Sequence, residues 1–246
     1  LSQNSMYKAN GDGTYTVVTD NTMIVVRSVS EFKTAMANEA IATIVLGDNL
    51  TANEILVISR DVTLNGNGYT LTSTMSGTSG RAINVSGAND VTIKNLTVKA
   101  AGERAINVIQ NTKKVTIDNV TATAANYTVN VAGSAAGAQV FIQNSDLTGL
   151  NAVNIGAANV NVSINNTTIT CNDNSDVESY DAISLNKDAA NSKVMVTGGN
   201  IVVKGDSVAA GVTGNNASVT FDGTNGNTTI QYNSFIIVYG NYAYTF

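Results

Sequence analysis

Two arginines and a tyrosine share one position of a repeated segment. Arg81 precedes AINV (82–85), Arg104 precedes AINV (105–108) and Tyr127 precedes TVNV (128–131). Asn151 and Asp181 hold the same position in later copies. Guanidinium forks bind acidic groups and an aromatic ring stacks on a sugar face, so Arg81, Arg104 and Tyr127 suit an acidic glycan. Glu103, adjacent to Arg104, is placed to neutralise part of that charge. The plainer reading is an exposed strand face with ordinary polar decoration. A second candidate is acidic: CNDNSDVESYD (171–181) contains Asp173, Asp176, Glu178 and Asp181. One loop could gather these four on a cation, and Ca²⁺ suits them because it takes several oxygen ligands at once. The EF-hand spacing is absent, and a solvated loop insertion is the plainer reading here.

Composition excludes most other chemistry. Among 246 residues there is no His, no Trp and no Pro, and there is a single Cys. Without imidazole there is no Ser-His-Asp triad, no His-ligated zinc and no His general base. One Cys excludes an intrachain disulfide and a CxxC redox pair. Cys171 lies nine residues after Val162, where other copies place Ala100, Ala124, Gly149 and Val203, so it reads as a buried, inert thiol. Apart from Ca²⁺ on the acidic stretch, no cofactor is expected. The net charge of −5 favours neither nucleic acid nor an anionic membrane. No apolar run approaches the roughly 18 residues of a membrane span.

The elements that must position these residues repeat. DVTLNG (61–66), DVTIKN (90–95), KVTIDN (114–119), QVFIQN (139–144), NVSINN (161–166), KVMVTG (193–198) and SVTFDG (218–223) are copies of one segment. Their leading valines are spaced by 29, 24, 25, 22, 32 and 25 residues. A second segment follows each copy, from AINV (82–85) to FIIV (235–238). Both alternate apolar and polar residues, the pattern of a strand with one buried face. A period of about 22–25 residues with two or three short strands is one coil of a parallel β-helix. The spacing predicts inward stacks of Leu64, Ile93, Ile117, Ile142, Ile164, Val196 and Phe221, and of Val98, Ala122, Leu147, Ile169 and Ile201. Four residues after each leading Val only Asn or Gly occurs: Gly66, Asn95, Asn119, Asn144, Asn166, Gly198 and Gly223. These tolerate left-handed backbone best, which predicts a corner there. Residues 73–80, 171–181 and 204–208 read as loop insertions. Asn84, Asn107, Asn130 and Asn154 share a position and predict an outward Asn ladder on a polar sheet face. Lys94 and Asp118 predict a surface ion pair between neighbouring coils.

Both ends of such a stack need covering, because open coil ends template aggregation. Ser28-x-x-Glu31 is a capping-box pattern, and Val29, Phe32, Ala35 and Met36 follow at helical spacing. A helix over about 28–39 is therefore expected to lie on the first, degenerate coil, 42–59. Residues 13–27 read as a strand pair turning at Asp20-Asn21. Tyr232, Phe235, Tyr239, Tyr242, Tyr244 and Phe246 suggest a packed C-terminal end. The expectation is all-β: a right-handed, single-stranded parallel β-helix of about eight coils in one domain, 1–246. An N-terminal cap would occupy 1–41, coils 42–238 and the end 239–246. Handedness follows the rule for parallel crossovers.

The run Ser28-x-x-Glu31-Phe32, then IATIVLGDNLT, EILVISRDVTLNGNGYTLT and VTIKNLTV-type coils, resembles the pectin lyase-like superfamily. More narrowly it is similar to adhesin-like surface proteins of gut and other host-associated bacteria. The resemblance spans about residues 28–238. It implies a secreted or surface-exposed bacterial module, non-enzymatic, with a glycan or host-surface ligand. The chain begins at Leu1 with neither a charged nor an apolar leader region, so any signal peptide is expected to have been removed. The rival reading within the superfamily is a divergent polysaccharide lyase or glycoside hydrolase acting on an acidic polysaccharide. The polygalacturonase pattern of Asn-Thr-Asp, Asp-Asp, Gly-His-Gly and Arg-Ile-Lys is absent. Pectate lyase chemistry would need a Ca²⁺-holding carboxylate cluster with an Arg that abstracts a proton, whereas Asp118, Asp146 and Asp222 are scattered over the coils.

Overall fold

The computed structural model describes residues 2–173, 178–223 and 228–231. Period-2 alternation becomes three parallel sheets wound round one apolar core. Sheet I contains Thr43–Leu46, Val62–Asn65, Gln139–Gln143, Asn161–Asn165, Lys193–Thr197 and Ser218–Phe221. The first parts of the long strands Val91–Ile109 and Lys114–Thr123 complete it. Sheet II runs from Leu50–Ala52 through Asp146–Gly149 to Thr229–Gln231. Sheet III runs from Leu56–Ile58 through Tyr127–Val131 and Asp181–Leu185 to Val208–Val212. Counting sheet III strands among the described residues, there are seven complete coils, and Ser218–Phe221 with Thr229–Gln231 opens an eighth.

The inward stacks hold. Ile93, Ile117, Ile142 and Ile164 are partners in register, each 0% exposed. Val98, Ala122, Leu147, Ile169 and Ile201 form a second buried stack in sheet II. Each full burial of such an aliphatic side chain contributes about 1.5–3 kcal/mol.

The Asn corners also hold. Asn95, Asn119, Asn144 and Asn166 have φ of 51°, 53°, 51° and 43°. Their side chains climb the corner: Asn119 Nδ2 donates to Asn95 Oδ1 at 2.9 Å and Asn166 Nδ2 to Asn144 Oδ1 at 3.0 Å. The corner differs at Gly66, where Asn67 and Gly68 take the left-handed conformations instead (φ 52° and 83°). A second left-handed corner, between sheet III and the next sheet I strand, has Asn111, Asn159, Asn191 and Asn216. Its sequence signal is an Asn three or four residues before the leading Val.

The helix is Val29–Ala37, with Phe32, Ala35 and Met36 buried on the strands beneath it. Ser28 Oγ accepts from the Glu31 amide at 3.1 Å, and the Glu31 carboxylate accepts from the Arg27 amide at 2.6 Å. The capping box is present, with its return bond one residue earlier than the usual form.

Three expectations need correction. The antiparallel hairpin is Ser5–Ala9 with Tyr15–Thr19, not 13–27. Met23–Val26 instead pairs in parallel with Thr43–Leu46, because its MIVV run has a sheet edge to complete. Residues 73–80 are no loop: Thr70–Ser86 is one continuous strand, and Gly77 pairs with Gly102 of the next coil. The eight steps from Ser73 to Arg81 face only four from Ala100 to Arg104, so the surplus residues are taken up as bulges on either side of Gly77. Lys94 and Asp118 are register partners, yet no ion pair closes between them; Asp118 accepts from Asn144 Nδ2 at 3.0 Å. The aromatic residues at 232–246 lie outside the described residues.

Candidate ligand face on the third sheet

Strict alternation would send Arg81 inward with Ile83 and Val85. The pairing prevents this. Register runs Arg81–Arg104–Tyr127, then resumes at Ile83–Ile106–Val129, skipping Ala82, Ala105 and Thr128. The skipped residues are 0% exposed. A local irregularity of this kind turns small residues into the core and re-aims the preceding side chain. The predicted column therefore exists.

Its state differs from an open, exposed array. Glu103 Oε2 lies 3.0 Å from Arg104 Nε and 3.7 Å from Arg81 Nη1, and these side chains are only 17–22% exposed. Arg81 Nη1 also donates to the carbonyls of Thr78 (2.8 Å) and Gly80 (3.2 Å), supplied by the extended 73–80 stretch. Arg104 Nη1 donates to Asn107 Oδ1 at 3.3 Å, and its Cζ sits 5.4 Å from the Tyr127 ring centroid, a cation–π contact. Arg104 Nε is buried without a hydrogen-bond partner, so its approach to Glu103 is coulombic rather than aligned. Burial, then the Arg104 cation, pushes the Arg81 guanidinium below its ordinary value, while Glu103 acts the other way. Two guanidiniums against one carboxylate leave the cluster one positive charge in excess.

The Asn ladder stands beside it. Asn107 Nδ2 donates to Asn84 Oδ1 (2.9 Å), Asn130 to Asn107 (2.7 Å) and Asn154 to Asn130 (2.7 Å). The predicted ladder is correct, but its exposure is not: Asn107, Asn130 and Asn154 are only 2%, 3% and 7% exposed. Stacking at about 4.8 Å leaves each amide covered by the next and satisfied along the ladder. Sequence reasoning had no signal for this burial, which depends on neighbouring columns.

The acidic stretch is not brought together as a ligand set among the described residues. Asp173 is buried and accepts from Ser207 Oγ at 2.8 Å. Glu178 takes the Tyr180 hydroxyl. Asp181 accepts from Ser184 Oγ at 3.2 Å and packs over Gly211, where any Cβ would collide with its carboxylate. Burial raises the Asp181 carboxyl, with the Ser184 bond opposing. Asp176 lies outside the described residues. Among the described residues no three acidic or thiol groups converge on a point that could hold a metal ion. Cys171 is buried, and burial pushes its thiol up, away from the reactive thiolate.

The described residues form a capped parallel β-helix with stacked Asn corners. Residues 24–135, which include Arg81, Arg104 and Tyr127, match the family described as "Putative pectate lyase-like adhesive domain". The resemblance read from the sequence is borne out over that segment. A solved structure titled "L. reuteri 53608 SRRP" aligns at 16% identity over 85% of this chain and 99% of that one, with a TM-score of 0.35. No curated protein matches. Among the described residues no helix is long and apolar enough to cross a membrane.

Proposed function

We propose that this chain is a non-enzymatic, adhesin-like module on or outside a bacterial cell, and that it holds an acidic glycan on the third sheet. The observation that carries this reading is the Arg81–Glu103–Arg104–Tyr127 cluster, net positive in a chain of net charge −5, within the segment that matches an adhesive domain. A carboxylate or sulfate on the ligand competes with Glu103 for the guanidiniums, and Tyr127 offers its ring to a sugar face. Because the guanidiniums are already paired, affinity is modest and falls as salt rises.

A glycan-array screen followed by titration with polygalacturonate tests this. Arg81→Ala with Arg104→Ala should lower binding at least several-fold. That pair strands Glu103, so Glu103→Gln is added to keep the melting temperature near the parent's. Unchanged binding in the triple variant removes the site. The same preparation should release no unsaturated ends from polygalacturonate, with or without calcium, by ultraviolet absorbance. Reproducible release would establish the lyase reading instead.

A further inference from the structure

The outer face of sheet I holds a feature unrelated to the Arg81 column. One residue after each leading Val, most coils carry Thr: Thr63, Thr92, Thr116 and Thr220. In three consecutive coils the series instead reads Phe141, Ser163, Met195, and these are register partners. Phe141 and Met195 are 36% and 49% exposed, although both are large and apolar. With about 4.8 Å per coil, their backbones stand about 9.6 Å apart, and small Ser163 forms a floor between them. Contacts of about 4 Å on either face of an inserted ring fit that separation. A parallel column, Gln139–Asn161–Lys193, walls one side. The resulting cleft is about 310 Å³ and extends to Ser218 and Thr220, the small end of the range for ligand sites.

We propose that this cleft is a second saccharide site, taking one acidic sugar ring. The proposal rests on reading the chain as a glycan-binding module. The lining suits that class. Phe141 and Met195 offer apolar surfaces to the C–H faces of a ring. Gln139, Asn161 and Ser163 offer donors and acceptors to its hydroxyls. Lys193 makes no ion pair among the described residues, so its ammonium is available to a ring carboxylate. Lys114 lies 6.0 Å from the Phe141 ring but is held by Asp90 at 3.0 Å, which leaves Lys193 as the charge that selects an acidic sugar.

The methionines make the test direct, because one reports each site. Met195 lines this cleft, and Met75 lies in the stretch beside Arg81. Protein labelled with ¹³C at the methionine methyls is titrated with trigalacturonate and, separately, with a neutral galactose trisaccharide. The Met195 methyl should shift saturably with trigalacturonate and at least several-fold more weakly with the neutral sugar. Lys193→Ala should weaken the acidic titration several-fold. Ser163→Leu, an outward substitution that fills the floor, should abolish it without lowering the melting temperature. A silent Met195 with a shifting Met75 overturns this site and leaves the Arg81 reading standing. A Met195 shift with a silent Met75 supports this site alone. Silence at both overturns the cleft and speaks against the Arg81 site too. A Met195 shift that tracks protein concentration without sugar assigns the cleft to a second copy of the chain and overturns the proposal.

Discussion

Ile117→Asp should abolish the cooperative fold. Ile117 is 0% exposed and lies between Ile93 and Ile142 in the central coils. The substitution removes an aliphatic side chain, typically about 2–5 kcal/mol for a large-to-small core change. It also places a carboxyl where no partner can reach it, several kcal/mol more. Together these rival the entire 5–15 kcal/mol that stabilises a domain. In a solenoid the damage also removes both nearest-neighbour interfaces of the affected coil. Thr116→Asp, one residue away and facing outward, is the control and should fold. Circular dichroism with thermal melting distinguishes the cases. A cooperative, native-like Ile117→Asp would mean that the buried register is displaced by one residue.

Arg60→Ala should give the second large effect, through the N-terminal cap. The Arg60 guanidinium reaches back to the carbonyls of Ala35 (3.0 Å), Met36 (3.0 Å), Asn38 (2.9 Å) and Ile41 (2.6 Å). It also donates to its neighbour Asp61 at 3.1 Å. The helix has no basic residue in its own last turn, so Arg60 supplies the cation that its C-terminal end favours. Charge-assisted bonds are worth about 1.5–3 kcal/mol each, and water replaces some of them, so a net loss of about 3 kcal/mol is expected. For a chain of this size that corresponds to roughly 6–12 °C in melting temperature. Arg60→Lys should recover only part of it, since one ammonium cannot match five donors in a planar fork. Loosening the helix exposes Phe32 and Met36 and the coil end beneath them, so aggregation near the transition should rise. A melting temperature within 2 °C of the parent's would show that the helix holds without this clamp.

The repeat carried most of the architecture in legible form. Leading valines at near-constant spacing, the Ile stack two residues later and the Asn or Gly four later each state a local requirement: an inward side chain, or a left-handed backbone. Such requirements act within a few residues, so they can be read from the chain alone. The capping box at Ser28 and Glu31 is legible for the same reason. MIVV at 23–26 satisfies strand patterning whichever sheet receives it, and the free edge of Thr43–Leu46 decides which one does.

The candidate sites divide in the same way. That Arg81, Arg104 and Tyr127 share a column follows from repeat arithmetic. Their burial, the bridging of both arginines by Glu103 and the carbonyls offered by 73–80 required the bulged 73–81 stretch to pack on the next coil, a condition no single repeat encodes. Arg60 finds its partners at the helix end, about 20 positions earlier in the chain, so its role has no local signal. Phe141 and Met195 are 54 residues apart in the chain. Only stacking one coil on the next makes them opposite walls of one cleft, because in a solenoid proximity is set by the interval between coils rather than by distance along the sequence.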